Sequence, residues 1–211
     1  MALSSKALQQ KRAKKAAKRK DHKKTGGAAA RSAMAAAEWL QAAAAPIADV
    51  YVPEGLFDEG IGSVWFSRKL ADGRYAVAVF LVDTFCLGVK NALYAFMEPD
   101  RYNVQLENFL HISEEQFAPV EPAYLRKLVE MAVAYADELG LPPHEDYKIA
   151  KLLFGDVDAS ESDAVFGFGK DGNPCYIPGP YDSPAAQRRV IKQLEKLQKD
   201  PFALLARGYN D

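Results

Sequence analysis

Two runs of apolar residues in the first half of the chain predict a β-hairpin. Residues 61–67 and 75–82 are rich in β-branched and aromatic side chains, and they flank the turn-forming pair Asp72 and Gly73. Glycine adopts the positive φ that tight hairpin turns require, so an Asp-Gly pair between two such runs favours a hairpin. Because residues 75–82 are nearly all apolar, we expect an interior strand that is covered on both faces.

Helical spacing of apolar residues marks the second half of the chain. Pro122 suits the first position of a helix, and Gly140 suits its end. A second helix is expected between Pro143 and Gly155, and a third is expected to start after Ser183. Between Pro122 and Gly140 the apolar residues recur at three- and four-residue spacings, which places them on one helix face: Leu125, Leu128, Val129, Ala132, Val133, Ala136 and Leu139.

The remaining apolar segments complete the expected fold. Residues 89–97 fit either a strand or a short helix, because periodicity does not decide between the two. Residues 165–168 and 175–177 fit two strands joined by a second Asp-Gly turn. The order hairpin, helices, hairpin, helix predicts an α+β fold, in which antiparallel hairpins form a mixed sheet packed by about three helices and preceded by a flexible basic arm.

The charge of the chain is divided by position. Its 211 residues are 49% hydrophobic and 26% charged, a composition that can bury a core and excludes collagen-like and globally disordered proteins. The formal net charge is −1, yet residues 1–24 hold ten Lys or Arg and one acid, and residues 25–211 hold 17 basic and 27 acidic residues. We therefore predict a disordered or transiently helical basic arm at 1–27, an alanine-rich helical spacer at 28–46 and one α+β domain at 47–211.

A basic arm of this density is typical of proteins that bind polyphosphate. Lys and Arg neutralise phosphates and release counterions without reading the base sequence. We expect residues 6–24 to bind RNA or DNA, and we expect no membrane partner, because no hydrophobic anchor accompanies the charge. A solvated tail and an autoinhibitory contact with the acidic domain are the alternatives. The candidate nucleic-acid-binding residues are Lys11, Arg12, Lys14, Lys15, Lys18, Arg19, Lys20, Lys23 and Lys24.

The cysteines and the lack of long apolar runs indicate the cellular compartment in which the protein is expected. Cys86 and Cys175 lie in apolar or aromatic surroundings, which favours buried thiols over a secreted disulfide scaffold, with a single disulfide as the alternative. No apolar run approaches the ~20 residues that a membrane-spanning helix needs. The positive N-terminus has no apolar run behind it and so does not resemble a secretory signal. We expect a cytoplasmic protein, with an organelle transit peptide as the alternative.

Asp83 is the candidate for metal chemistry. It ends the predicted interior strand, and Glu98, Asp100, Asp156 and Asp158 could join it through the fold. Two or three convergent carboxylates hold Mg²⁺ and allow phosphodiester hydrolysis, in which one ion activates water and another stabilises the leaving oxygen. The enzymatic alternative is therefore a divalent-metal-dependent nuclease or phosphohydrolase built around Asp83. Helix caps, turns and solvated loops account for the same carboxylates without catalysis.

The remaining motifs predict no cofactor and no resident metal. Residues 167–172 match the letters G-x-G-x-x-G, but a dinucleotide fingerprint needs a helix directly after the loop, and here a returning strand is expected. The three histidines are spread along the chain, so no zinc site is predicted. Lys90 and Lys170 are expected to be surface cations. Residues 176–183 fit either a rigid connection or an aromatic stacking platform for bases.

Three stretches of the chain resemble segments of an uncharacterised family of bacterial proteins. They are residues 80–91, 153–158 and 168–174, and members of that family also often begin with a Lys/Arg-rich leader. The resemblance covers most of residues 47–200. It implies a bacterial, cytoplasmic protein, and it carries no activity and no functional residue.

These observations lead to one favoured hypothesis and two alternatives. The favoured hypothesis is a non-enzymatic accessory protein that binds nucleic acid non-specifically through its arm while the domain positions a partner. The first alternative is the Mg²⁺-dependent enzyme around Asp83. The second is a protein-interaction subunit whose apolar hairpin face pairs with another protein or with a second copy of the chain.

Overall fold

The computed structural model describes residues 37–111, 115–180 and 182–198. The predicted basic arm lies outside these residues. The strands are Ile47–Pro53 (β1), Ile61–Lys69 (β2), Tyr75–Asp83 (β3), Gly88–Met97 (β4) and Phe117–Pro119 (β5). The α-helices are residues 37–42 (α1), Leu56–Glu59 (α2), Pro99–His111 (α3), Pro122–Glu138 (α4), Tyr147–Ala150 (α5) and Pro184–Gln198 (α6), with 3₁₀ turns at Lys151–Phe154 and Ala159–Glu161.

The five strands form one antiparallel sheet in the order β4-β3-β2-β1-β5, which confirms the α+β fold class. The predicted hairpin is the pair β2–β3, which stays in register from Ile61 opposite Asp83 to Lys69 opposite Tyr75. Gly73 takes a φ of 91° in its turn. The ambiguous segment 89–97 belongs to strand β4, so β3 has a partner on each side and is interior, as predicted.

Helices lie against both faces of the sheet but cover them unequally, because Val79 and Leu81 on the α3 side are only half-buried. On one face, the β3 side chains Ala76, Ala78, Phe80 and Val82 are fully buried against the apolar stripe of α4, α5 and the adjoining 3₁₀ turn. On the other face, Val77 packs with Trp65 and with Tyr102 of α3. Helix α3 was not predicted, although its inward residues Tyr102, Leu106 and Phe109 have the spacing of an amphipathic helix.

The predicted helices after residue 120 are present, and their ends follow the glycines. Helix α4 gives way to Gly140, which has a φ of 69°. The second helix is the short α5 followed by the 3₁₀ turn, and Gly155 ends it with a φ of 57°. A Cβ at Gly155 would lie 2.5 Å from the carbonyl oxygen of Ala43, so this position accepts only glycine. Helix α6 begins after Ser183, whose Oγ accepts the amide of Ala186.

The predicted second hairpin at residues 165–177 is wrong. Only the isolated bridge between Lys170 and Asn173 remains of it, at the tip of the Asp-Gly turn. The backbone around the tip bonds elsewhere, because Gly169 N donates to Thr84 O at 2.9 Å and Cys175 N donates to Phe85 O at 3.0 Å. Both arms therefore lie against the β3–β4 connection and do not pair with each other.

Residues before the predicted domain start also contribute to the core. Trp39 of α1 is 2% exposed and stacks on Phe96 of β4 with 4.9 Å between ring centroids. Its ring also meets that of Tyr94 edge-on. The described part of the 28–46 segment thus packs on the edge strand of the sheet.

A buried arginine connects the sheet with the segments packed on it. Arg68 of β2 is 3% exposed, and its guanidinium donates to the carbonyl oxygens of Ala45 at 2.6 Å, Leu153 at 2.9 Å and Phe154 at 2.7 Å. It therefore connects the end of α1, the 3₁₀ turn and the sheet. Burial lowers the pKa of Arg68, and Asp156 opposes that shift. The Asp156 side chain is 89% exposed, so this ion pair adds little beside the carbonyl bonds.

We expect Arg68→Met to lower the free energy of unfolding by about 3 kcal/mol, because methionine keeps the apolar stem but leaves three carbonyl oxygens without their donor. Urea denaturation followed by circular dichroism measures the change. The matched control is Lys69→Met at the exposed neighbouring position, where a change within about 0.5 kcal/mol is expected. Equal stability of the two variants would contradict the role assigned to Arg68.

Candidate functional site

The most chemically varied region of the described fold surrounds the β3–β4 connection. Asp83, the last residue of β3, is 4% exposed, and its Oδ1 accepts the amides of Phe85 at 3.0 Å and Cys86 at 2.8 Å. Burial raises the pKa of the Asp83 carboxyl, and the amides of the turn and nearby Lys90 oppose the rise. The buried Asp83 carboxylate thus stabilises the turn between β3 and β4 through hydrogen bonds from the turn amides.

The turn places Cys86 in a separate apolar cluster. The thiol is fully buried with Ala136, Leu139 and Leu141, and side chains of α6 complete the cluster. Burial, followed by the charges of Asp83 and Cys175, raises the pKa of Cys86 to about 12. Cys86 is therefore a protonated thiol at neutral pH, in agreement with the predicted buried thiol.

A carboxylate from the loop before α6 fastens that loop to the sheet. Asp182 Oδ2 accepts three hydrogen bonds, from Lys90 Nζ at 2.8 Å, from the amide of Gly179 at 2.8 Å and from the Tyr176 hydroxyl at 2.9 Å. Burial acts to raise the pKa of Asp182, but these three donors outweigh it and hold that pKa below its usual range. We call this group the Asp182 clamp.

A cavity of about 330 Å³ lies between the connection and the loop. Asp83, Phe85, Lys90 and Cys175 contribute to its wall, together with residues 177–180. Both ionisable groups from the sheet are already engaged, Asp83 by the turn amides and Lys90 by Asp182. The half-buried Cys175 is thus the nucleophilic group that the cavity wall presents.

The predicted carboxylates do not gather around Asp83. Asp156 bonds to Arg68, whose β3 neighbour Ala76 lies seven residues from Asp83, roughly 23 Å along the strand. Glu98 follows β4 at that same distant end and is exposed, as is Asp100. Asp158 accepts the amide of Ser160 at 2.9 Å and begins a 3₁₀ turn.

Asp83 and Cys86 lie at the β3–β4 connection, and Lys90 lies near the start of β4. Its side chain is 14% exposed, so Lys90 is not the surface cation that was expected. Asp156 lies at the far end of the sheet, and Lys170 is exposed at the turn tip, as expected. The glycines of the G-x-G-x-x-G letters form that tip, with φ values of 83° at Gly169 and 75° at Gly172. No helix follows until Pro184, so the loop lacks the phosphate-binding geometry of the fingerprint.

A second polar cluster lies on the α3 side of the sheet. Ser67 Oγ is 2.7 Å from the Tyr102 hydroxyl, which also donates to the Asp49 carboxylate. Ser67 is fully buried and Tyr102 is 2% exposed, and the Tyr75 ring stacks on Tyr102 with 3.8 Å between centroids. Burial, reinforced by Asp49, raises the pKa of Tyr102. No substrate reaches this serine, so the cluster joins β1, β2 and α3 and is not a nucleophilic site.

The described ranges 37–111, 115–180 and 182–198 contain no group of three His, Cys, Asp or Glu residues placed to hold a metal ion. Every helix in these ranges is too short or too polar to cross a bilayer. The candidate nucleic-acid-binding residues Lys11 to Lys24 lie outside them.

No protein-family model, curated protein or solved structure matches this chain. Functional inference therefore rests on the residues and their geometry.

The Asp182 clamp and the hydrogen bond from the Cys175 amide to the Phe85 carbonyl have no local signal in the sequence. Residues 176–183 are rich in prolines and aromatics, but nothing in that stretch connects it with Lys90, 92 positions earlier. In the structure the Tyr176 hydroxyl bonds to Asp182, which favours the rigid connection over a free stacking platform at this tyrosine.

We expect Asp182→Asn to lower the free energy of unfolding by about 2 kcal/mol at neutral pH, because the amide loses the charge-assisted bond from Lys90. The folded pKa of Asp182 is depressed, so its contribution is full above the unfolded carboxyl pKa near ~4 and is lost as pH falls through the folded value. Urea titrations at about pH 7 and about pH 3 should show the difference between wild type and variant shrinking at the lower pH.

The control for this variant is Asp163→Asn, which removes an exposed carboxylate from the preceding loop. Its effect should stay within about 0.5 kcal/mol at both pH values. A pH-independent loss in Asp182→Asn would show that the carboxylate charge is not what stabilises the loop.

Proposed function

We propose that this protein is a non-enzymatic accessory protein that binds RNA or DNA non-specifically through its basic N-terminal arm, residues 6–24. The observation that carries the proposal is the division of charge along the chain. Ten of the 27 basic residues lie in the first 24 positions, and only one of the 28 acids lies there. A chain of nearly neutral total charge thus combines a polycation with an acidic domain.

The arm has the composition for electrostatic binding to polyphosphate. Its cations are interspersed with Ala and Gln, and Leu8 is the one large apolar residue between positions 6 and 24. Each phosphate that a Lys or Arg neutralises releases bound counterions, which makes affinity depend steeply on salt and little on base sequence. The acidic domain repels the same polymer and thereby confines contact to the arm.

The described residues form a packed core among themselves. Its three apolar clusters consist of residues between Trp39 and Leu197. Three of the five carboxylates considered for metal chemistry have roles in the fold, because Asp83 closes a turn, Asp156 bonds to Arg68 and Asp158 begins a 3₁₀ turn. Glu98 and Asp100 are exposed at the end of the sheet far from Asp83. The geometry therefore favours the accessory role over the metal-dependent enzyme.

We expect deletion of residues 1–24 to weaken binding to a fluorescent RNA or DNA duplex by at least about 10³-fold at low salt, because the counterion-releasing groups are removed. For the full chain, log affinity should fall with log salt with a slope of up to about −9, the limit for ten phosphate contacts. Fluorescence anisotropy between about 50 and 200 mM salt measures both quantities.

The matched control keeps the arm and changes only its charge, with all ten Lys and Arg of residues 1–24 replaced by Gln. It should bind as weakly as the deletion, and both variants should unfold within about 1 °C of the full chain, since no residue of the described core changes. Full binding by the truncated chain, or a binding constant indifferent to salt, would refute the proposal.

Self-association is the second candidate function, favoured by one feature of edge strand β4. Leu93 is 62% exposed beside an apolar cavity of about 540 Å³ between β4 and α3. Residues 91–97 carry no charge, so two copies of the strand can pair antiparallel without bringing like charges together. A second copy of the chain is the partner that such a strand fits.

We expect the full chain to sediment as a concentration-dependent dimer, and we expect Leu93→Asp to weaken the dimer at least tenfold, because two carboxylates would meet in an apolar strand pair. Val104→Asp, on the exposed side of α3, is the control and should leave self-association unchanged. A wild-type monomer at high concentration would exclude this second function.

A further inference from the structure

The fold brings together the cysteines of this chain, which lie 89 positions apart in sequence. The amide of Cys175 donates to the carbonyl oxygen of Phe85 at 3.0 Å, so the two cysteine-bearing segments adjoin. The Cα atom of Cys175 is one bond from that amide nitrogen, and the Cα atom of Cys86 is one peptide unit from that carbonyl oxygen, so the two Cα atoms are at most about 7 Å apart. Disulfides span about 4.4–6.8 Å between Cα atoms. Cys86, the residue next to Phe85, therefore lies close to the reach of a disulfide from Cys175.

The two thiols differ in access to solvent. Cys175 is half-buried and forms part of the wall of the 330 Å³ cavity beside Lys90 and Asp83. Cys86 is fully buried behind the connection, in the cluster with Leu139 and Leu141. Cys175 also contributes, after burial and Asp83, to the raised pKa of Cys86. A reagent that enters the cavity thus meets Cys175 first.

We propose that Cys175 is a thiol–disulfide exchange site and that Cys86 is its resolving partner, so that a low-molecular-weight disulfide such as glutathione disulfide converts the pair into an intramolecular disulfide. Cys175 is the attacking group because it faces the cavity. Cys86 resolves the adduct because the turn held by Asp83 keeps it beside Cys175. This modification is independent of the nucleic-acid proposal.

The reaction consists of two successive thiol–disulfide exchanges. The Cys175 thiolate attacks one sulfur of glutathione disulfide, the S–S bond of that molecule breaks, and one glutathione leaves as a thiolate. The Cys86 sulfur, after its proton passes to water, attacks the Cys175 sulfur and expels the second glutathione. The protein thiols lose two electrons, glutathione disulfide gains them, and the two released thiolates take up the two protons.

A Cys86–Cys175 bond would fasten the C-terminal third of the domain to the sheet. Residues 165–182 are held on the β3–β4 connection by the amides of Gly169 and Cys175 and by the Asp182 clamp, with no strand pairing to the sheet. The bond adds a covalent restraint next to the clamp and closes a loop of 89 residues. Long closed loops restrict the unfolded chain most, so oxidation stabilises the fold.

The experiment treats the reduced full chain with glutathione disulfide and measures intact mass and tryptic peptides. The expected product has lost two hydrogens and retains no glutathione. Trypsin should release one cross-linked pair joining peptide 75–90 with peptide 171–188, each of which contains a single cysteine. The oxidised protein should unfold about 5 °C or more above the reduced one, and residues 165–182 should be cleaved more slowly by a protease.

Two variants, each with one cysteine replaced, test which thiol reacts first with glutathione disulfide. Cys86→Ser should stop at a stable glutathione adduct on Cys175, whereas Cys175→Ser should stay unmodified because Cys86 is enclosed. The proposal is overturned if the wild-type chain accumulates only an adduct, if both thiols stay free, or if the cross-link forms only in denaturant. A cross-linked protein that unfolds no higher than the reduced form would also contradict it.

Discussion

Burial of the interior strand β3 is the constraint on which the rest of the structure depends. A strand of nearly continuous apolar residues is typical of a position with a strand on each side and other elements packed on its faces. Strands β2 and β4 pair with it, helices α4 and α5 bury one face, and α3 covers the Val77 part of the other face. Because β3 is interior, the carboxylate of its last residue, Asp83, is buried and requires hydrogen-bond donors within the fold. The turn amides provide them, and a carboxylate that resembled a metal ligand becomes part of the fold.

The buried ionic groups in this domain form hydrogen bonds with the backbone. Arg68 donates to carbonyl oxygens at one end of the sheet, and Asp83 accepts hydrogen bonds from amides at the other end. Such groups are stabilising where their hydrogen bonds are complete and costly where a partner is missing. Asp182 follows the same rule nearer the surface, where one oxygen atom receives three donors. Polar residues at the β3–β4 connection therefore hold a loop and a turn together, and the reactive group left facing the cavity is a thiol.

The two proposals rest on different kinds of interaction. Long-range attraction between a basic segment and a polyanion needs density of charge and no particular shape, and residues 6–24 have that density. Sulfur exchange needs two atoms brought together within a few ångströms, which only packing achieves. Binding to a polyanion depends on salt concentration, and disulfide formation depends on redox conditions. The two can therefore be varied independently in an experiment.

The sequence by itself determined the elements whose signals are local. The β2–β3 hairpin follows from two apolar runs around Asp72 and Gly73, helix α4 follows from its apolar stripe between Pro122 and Gly140, and the division of charge is a property of composition. Tertiary structure alone decided that residues 165–177 form no hairpin, that Glu98 and Asp156 lie far from Asp83, and that Cys175 adjoins Cys86. The physical reason is that these arrangements depend on contacts between residues tens of positions apart, and neither periodicity nor turn preference records which distant segment will satisfy a given amide or carboxylate.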